Sequence, residues 1–120
     1  MVRVGFDLVE VERIRGLVER RGRRALERLF TPQEIEHAWR APPPLRWQRL
    51  AARWAAKEAF IKAKGQAVAW REMEVVLAGD TPFLCWKGQR YPLSLSHTAE
   101  LAGAVVILLG EGPQEASTAL

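Results

Sequence analysis

Two acidic side chains stand where packing alone does not put them. Asp7 lies near the end of a short alternating segment at the N-terminus, just before a helical pattern begins. Glu58 lies inside a long helical pattern. At about 100° per residue, Trp47, Leu50, Ala51, Trp54 and Ile61 fall in one stripe, and Glu58 sits in that stripe one turn after Trp54. A carboxylate on an apolar helix face must be paired, protonated or bound to a metal, because burying it alone is too costly. Lys62, four residues on, supplies the simplest partner. For Asp7 the simple reading is an acid beside a helix N-terminus, worth under about 1 kcal/mol. Taken together, the two carboxylates have the makings of a hard-cation site. Mg²⁺ takes one or two protein carboxylates and completes its shell with waters and substrate phosphates. Arg53, Lys57 and Lys62 add cations on the same helix, a set suited to handling a phosphate ester.

Ser94-Leu95-Ser96-His97-Thr98 gathers hydroxyls and an imidazole at the end of a strand-like run. No Ser-His-Asp arrangement is legible there. The competing readings are an ordinary strand-end histidine and a phosphate or nucleotide contact. His37 sits on a polar helix face and reads as an ordinary surface histidine. Arg13, Arg20 and Arg24 fall within about 20° of one direction if their helix continues through Gly22. They lie away from the Val11/Ile14/Val18 core stripe. That makes either a solvated face or a docking surface for an acidic partner. Of the five tryptophans, Trp47 and Trp54 are on the core stripe, so packing rather than base stacking accounts for most of them.

The elements that must position these groups follow from periodicity and punctuation. In Val2–Leu8, Val4, Phe6 and Leu8 point one way and Arg3, Gly5 and Asp7 the other, as in a half-buried strand. From Val11 the period becomes helical, with Gly22 as a break or kink before a second short apolar pattern over Ala25, Leu26, Leu29 and Phe30. Thr31, Pro32 and Glu34 read as an N-cap, a first-turn proline and the third-position acid of a capping box, opening a helix to about Arg40. Pro42-Pro43-Pro44 then forms a stiff connector. A long helix runs from about Leu45 to Lys64 and stops at Gly65. Strands follow over Met73–Leu77, Phe83–Trp86, Leu93–His97 and Ala102–Leu109, with turns at Gly79-Asp80 and Lys87-Gly88. The class is α+β, with the N-terminal strand joining a mainly antiparallel sheet. Residues 1–110 make one domain, and residues 111–120 a frayed tail.

Composition bounds the answer. The chain has 120 residues, 48% of them hydrophobic and 27% charged, which suits one soluble domain. No apolar run approaches the roughly 20 residues that span a bilayer. The N-terminus enters a strand pattern rather than a secretory signal, so a cytoplasmic protein is expected. A single cysteine, Cys85, excludes an internal disulfide framework and a multi-cysteine metal site. Arginine outnumbers lysine and asparagine is absent, a weak pointer to a thermophilic source. The net charge of +4 is unevenly spread: residues 1–64 carry 15 basic and 8 acidic side chains, residues 65–120 carry 3 and 6. That asymmetry calls for an anionic partner of the first half.

Five segments together carry a family resemblance. They are Gly5-Phe6-Asp7-Leu8-Val9-Glu10-Val11-Glu12-Arg13, Phe30-Thr31-Pro32-Gln33-Glu34, Arg53 through Ala63 with its A-A-K-E-A-x-x-K core, Trp70-Arg71-Glu72-Met73-Glu74-Val75, and Ser94 through Thr98. In this order and over most of the chain, the sequence resembles the small trimeric class of 4′-phosphopantetheinyl transferases. The resemblance implies that fold, and transfer of the phosphopantetheine arm of coenzyme A to a serine of acyl carrier protein, in fatty acid biosynthesis. It implies Mg²⁺ on Asp7 and Glu58, with Lys62 completing the catalytic set. It further implies that Arg53, Lys57, Lys62, Ser96, His97 and Thr98 contact the coenzyme. Arg13, Arg20 and Arg24 would dock the acidic carrier protein. The base for the serine proton is left open between a water on the metal and a nearby carboxylate. A homotrimer with sites between subunits is implied, with neither nucleic acid nor membrane as partner. Two segments depart from the pattern: the loop at Gly65–Ala69 and the stretch Gly88–Pro92 are both short. The rival from another class is a small basic nucleic-acid-binding module, which would use the same arginines but gives Glu58 no role.

Overall fold

The alternation at the N-terminus and the helical period after Val11 become the first strand and the first helix. The computed structural model describes residues 1–110. In chain order the elements are β1 (Val2–Glu10), α1 (Val11–Leu29), α2 (Pro32–Trp39), α3 (Leu45–Lys64), a single 3₁₀ turn (Trp70–Glu72), β2 (Met73–Ala78), β3 (Thr81–Trp86), β4 (Gln89–His97) and β5 (Leu101–Leu109). The five strands form one sheet in the order β1-β5-β4-β3-β2, every neighbouring pair antiparallel. The long helix α3 lies across it and packs mainly on β1 and β5. Among the described residues no helix is long and apolar enough to cross a membrane. The expected tail, 111–120, lies outside the described residues.

Punctuation residues act as their chemistry dictates. The Thr31 side chain accepts from the Glu34 amide while the Glu34 carboxylate accepts from the Thr31 amide, a complete capping box with Pro32 in the first turn. Gly65 ends α3 in the left-handed region, φ 74°. Lys87 and Gly88 both take positive φ, as a two-residue hairpin turn of this hand requires. Gly22 has φ 75° and ψ −160° inside α1, so the helix is kinked there. The kink takes Arg24 out of the single direction shared with Arg13 and Arg20 on an unbroken helix.

Two packing expectations invert. The face of β1 turned to α3 is that of Gly5, Asp7 and Val9, while Phe6 and Leu8 are each 56% exposed on the other side. The centre of the buried arc of α3 is also displaced. Ala52, Ala55, Ala56, Ala59, Phe60 and Ala63 are buried, whereas Trp47, Trp54, Glu58 and Ile61 lie at its margin, half-buried. Small side chains decide both outcomes. Alanines on the helix and a glycine on the strand let backbone meet backbone, and a wheel that weights residues by size misses this.

Gly5 is the point of closest approach. A Cβ there would overlap the carbonyl oxygen of Ala59, a backbone atom that cannot swing aside. Gly5→Ala therefore costs about 3 kcal/mol through overpacking, read as a lower urea midpoint. An unchanged midpoint would mean that β1 and α3 do not meet this closely.

Candidate active site

Close packing of β1 on α3 sets the register of the acidic and basic groups. The strand meets the last turns of the helix: the Arg3 guanidinium donates to the Lys64 carbonyl at 3.3 Å, Gly5 meets Ala59, and Asp7 meets Lys62. The Lys62 ammonium donates to Asp7 Oδ1 at 3.0 Å and to the Phe6 carbonyl at 3.2 Å. Lys62 thus pairs with Asp7 rather than with Glu58. Glu58 precedes Lys62 by one turn on the same flank of α3, and among the described residues no hydrogen bond or ion pair engages its carboxylate.

This donor set suits a hard cation. Asp7 on β1 is paired with Lys62, and Glu58 on α3 stands one turn before that lysine, while no cluster of three or more His, Cys, Asp or Glu side chains occurs among the described residues. A closed protein cage is foreign to Mg²⁺, which keeps several waters and binds through few carboxylates. Lys62 adds a positive charge, 57% exposed at its side chain, beside the carboxylate of Asp7.

Other sequence-singled residues fall elsewhere. Ser94, Ser96, His97 and Thr98 are all exposed. Ser96 is opposite Gly103, which is in turn opposite Leu8, so Ser96 shares the outward face of the sheet with Leu8. Asp7 points through the other face. A single chain therefore does not bring the serine row and the carboxylates together. The outward row of Phe6, Leu8, Ser96 and Val105 instead lines a shallow groove of about 320 Å³, with His97 at its edge; by register His97 is opposite Ala102 and so has the parity of Val9. Thr98 Oγ1 accepts the amides of Glu100 and Leu101 at 3.2 and 3.1 Å and so closes the β4–β5 turn.

Lys57 and Arg53 turn inward rather than to a ligand. Lys57 is wholly buried, and its ammonium donates to Glu34 Oε1 at 2.7 Å, the Leu29 carbonyl at 2.8 Å and the Trp70 carbonyl at 3.3 Å. Burial pushes the ammonium below the ordinary lysine range, opposed by the Glu34 charge. Arg53 is 5% exposed and donates to the Arg49 carbonyl at 3.2 Å. The capping box expected of Glu34 is present, and the same carboxylate also makes this pair, which its own element does not announce. The pair's only signal is a lysine on the alanine face of α3.

His37 is less ordinary than its polar face implied. Burial, then the guanidinium charges of Arg53, Arg49 and Arg40, pull its pKa down to about 4. The folded state holds it neutral while the unfolded chain protonates near pH 6.5. Its contribution to stability is therefore complete above pH 6.5 and is lost as the pH falls toward 4. In NMR-detected titration the His37 imidazole stays neutral at pH 5.5; a midpoint near 6.5 would contradict this environment.

On α1, Arg13, Arg20 and Arg24 are exposed. Arg15 and Arg23 are tied to Glu12, Glu19 and Glu27, while Arg20 and Arg24 have no acidic partner among the described residues. Arg24 lines a groove with Leu17, Arg21, Ala25, Arg28 and Leu29. Arg21 and Arg28, which the wheel did not single out, belong to this basic and apolar surface.

Comparison with known proteins places the chain in a family. Residues 3–108 match the 4′-phosphopantetheinyl transferase superfamily. The chain belongs to that family. It is 41% identical to the holo-acyl-carrier-protein synthase of Gloeobacter violaceus, over 90% of this chain and 92% of that one. It is 40% identical to the enzyme of that name from Thermus thermophilus, over 90% and 93%. Its fold superposes on the crystal structure of a holo-(acyl-carrier-protein) synthase from Bacillus anthracis, solved in complex with CoA (3′,5′-ADP). That match has a TM-score of 0.77 at 30% identity and covers 88% of this chain and 94% of that one.

Proposed function

We infer that this protein transfers the 4′-phosphopantetheine group of coenzyme A to a serine of apo acyl carrier protein and releases adenosine 3′,5′-bisphosphate. The observation that carries the reading is the Lys62–Asp7 ion pair, one helical turn from Glu58, in a chain of this family. In the transfer, the serine oxygen bonds to the pantetheine-side phosphorus. The bond from that phosphorus to the bridging pyrophosphate oxygen breaks, and the serine proton passes to a base. Asp7 and Glu58 would hold Mg²⁺, which when bound neutralises phosphate charge and orients the pyrophosphate. Lys62 swings from Asp7 to the phosphate oxygens, a move its exposed ammonium permits. Ser96, His97 and Thr98 contact the coenzyme. Arg53 and Lys57 support the site from behind, because both are buried.

The active unit is a homotrimer working in the cytoplasm. Two features support self-association. The outward face of β1 exposes Val2, Val4, Phe6 and Leu8 without cover. The serine row and the carboxylates lie on opposite sheet faces, so a complete site draws them from neighbouring chains.

The basic surface of α1 docks the acidic carrier protein. Arg20→Glu raises the KM for carrier protein about 10-fold and leaves the KM for coenzyme A unchanged in steady-state assays. Equal rises in both constants would remove the docking assignment. Chelation with EDTA abolishes transfer and Mg²⁺ restores it; activity that persists in EDTA would remove the metal.

A further inference from the structure

The buried Lys57–Glu34 pair has no place in the chemistry above, yet it joins more elements than any other polar contact among those described. Glu34 Oε1 accepts from the Thr31 amide at 2.9 Å and from Lys57 at 2.7 Å, and Oε2 accepts from the Val75 amide at 2.7 Å. All three ammonium protons of Lys57 are used: on Glu34, on the Leu29 carbonyl that ends α1, and on the Trp70 carbonyl of the 3₁₀ turn. The pair thereby fastens the last turn of α1, the cap of α2, the 3₁₀ turn and β2 to α3. The fastening point is the residue immediately before Glu58.

Such a pair is a poor device for stability alone. Replacing a buried ion pair by apolar groups is often neutral or stabilising, because desolvation offsets the attraction. What the ion pair supplies is direction. Each of its bonds has a fixed length and angle, and each ends on a different element. Of the docking arginines, Arg24 shares with Leu29 the part of α1 beyond the Gly22 kink, Arg13 and Arg20 precede the kink, and the proposed metal-binding carboxylate sits on α3. Apart from this pair, a link between those two helices is the looser stacking of the Arg13 guanidinium over the Trp54 ring, 5.6 Å from its centroid.

The geometry points to Lys57 and Glu34 as positioning residues that set the docking helix α1 against the metal helix α3, so that a docked carrier protein presents its serine in line with the phosphorus. The inference rests on the transfer reaction and the docking face proposed above. With the tie removed, the arginine surface and the coenzyme site each survive, but their mutual placement is lost. A misplacement of about 1 Å costs about 100-fold in rate. The loss falls on kcat, whereas Arg20→Glu acts on the KM for carrier protein.

The test uses full-length Lys57→Met and the paired variant Lys57→Met/Glu34→Leu, assayed well below their melting temperatures. Rates are normalised to coenzyme A binding sites counted by calorimetry. The single variant loses thermal stability, since it strands a buried carboxylate. The paired variant recovers that stability. For both, the expected result is a kcat lower by about 100-fold, with both KM values and coenzyme A affinity within about twofold of the parent. If the paired variant regains kcat along with its melting temperature, the pair is structural only and the inference is overturned. Unchanged kcat in Lys57→Met also overturns it, as do parallel rises in both KM values. The parent runs alongside: an inactive parent removes the transfer reading, and this inference with it. An active parent with fully active variants removes this inference alone.

Discussion

Glu58→Gln lowers phosphopantetheine transfer by about 1,000-fold, the scale of losing one preorganised electrostatic group at a phosphoryl centre. The substitution keeps the shape and removes the charge. Glu58 stands at the half-buried margin of α3, with no protein hydrogen bond or ion pair among the described residues. Its melting temperature therefore shifts by no more than about 2 °C, since a surface change away from packed or bonded groups stays within about 0.5 kcal/mol. Asp7→Asn gives the same kinetic loss with a slightly larger thermal effect. It also gives up the ion pair with Lys62, which is partly exposed and worth no more than about 1 kcal/mol. The two losses do not add, because both carboxylates serve one cation. Full activity in either variant, measured with saturating coenzyme A and Mg²⁺, would contradict the assignment.

Phe6→Glu dissociates the assembly and removes activity together. Phe6 is central on the exposed row of β1, between Val4 and Leu8. In an isolated chain the new carboxylate meets water, so the monomer stays folded. In an assembly the same carboxylate is buried without a partner, at a cost of several kcal/mol for each copy. Sedimentation therefore finds the parent at three times the 13.6 kDa chain mass and the variant at one. If neighbouring chains complete the site as proposed, transfer falls more than about 100-fold, because Ser96 is then parted from the carboxylates of the next chain. Mixed assemblies of Glu58→Gln and His97→Ala chains regain part of the activity if the site is shared between subunits. A fully active monomer would show that one chain suffices.

Much of the fold was legible because local chemistry and long-range packing agree. Thr31-Pro32-Gln33-Glu34 gives a capping box, Gly65 ends α3, and Lys87-Gly88 turns the β3–β4 hairpin, all as their residue types require. Asp7, Glu58 and Lys62 could be singled out by residue type and spacing, but the pairing of Lys62 with Asp7 could not, since it joins two elements 55 residues apart. What failed was the choice of face. A wheel weighted by side-chain size puts Trp54 and Ile61 at the centre of α3, but close approach to a sheet selects alanines. The same reasoning leaves the apolar row of β1 uncovered, since Gly5 rather than Phe6 faces the helix. Neither Lys57 nor Glu34 could be read as buried from its own element, because each is satisfied by the other across 23 residues of chain.

The most direct measurement is the mass of an apo acyl carrier protein after incubation with this protein, coenzyme A and Mg²⁺. The reaction proposed here adds a single phosphopantetheine group, a gain of about 340 Da on one serine. An unchanged carrier mass under conditions where the protein is folded, assembled and supplied with metal would contradict it.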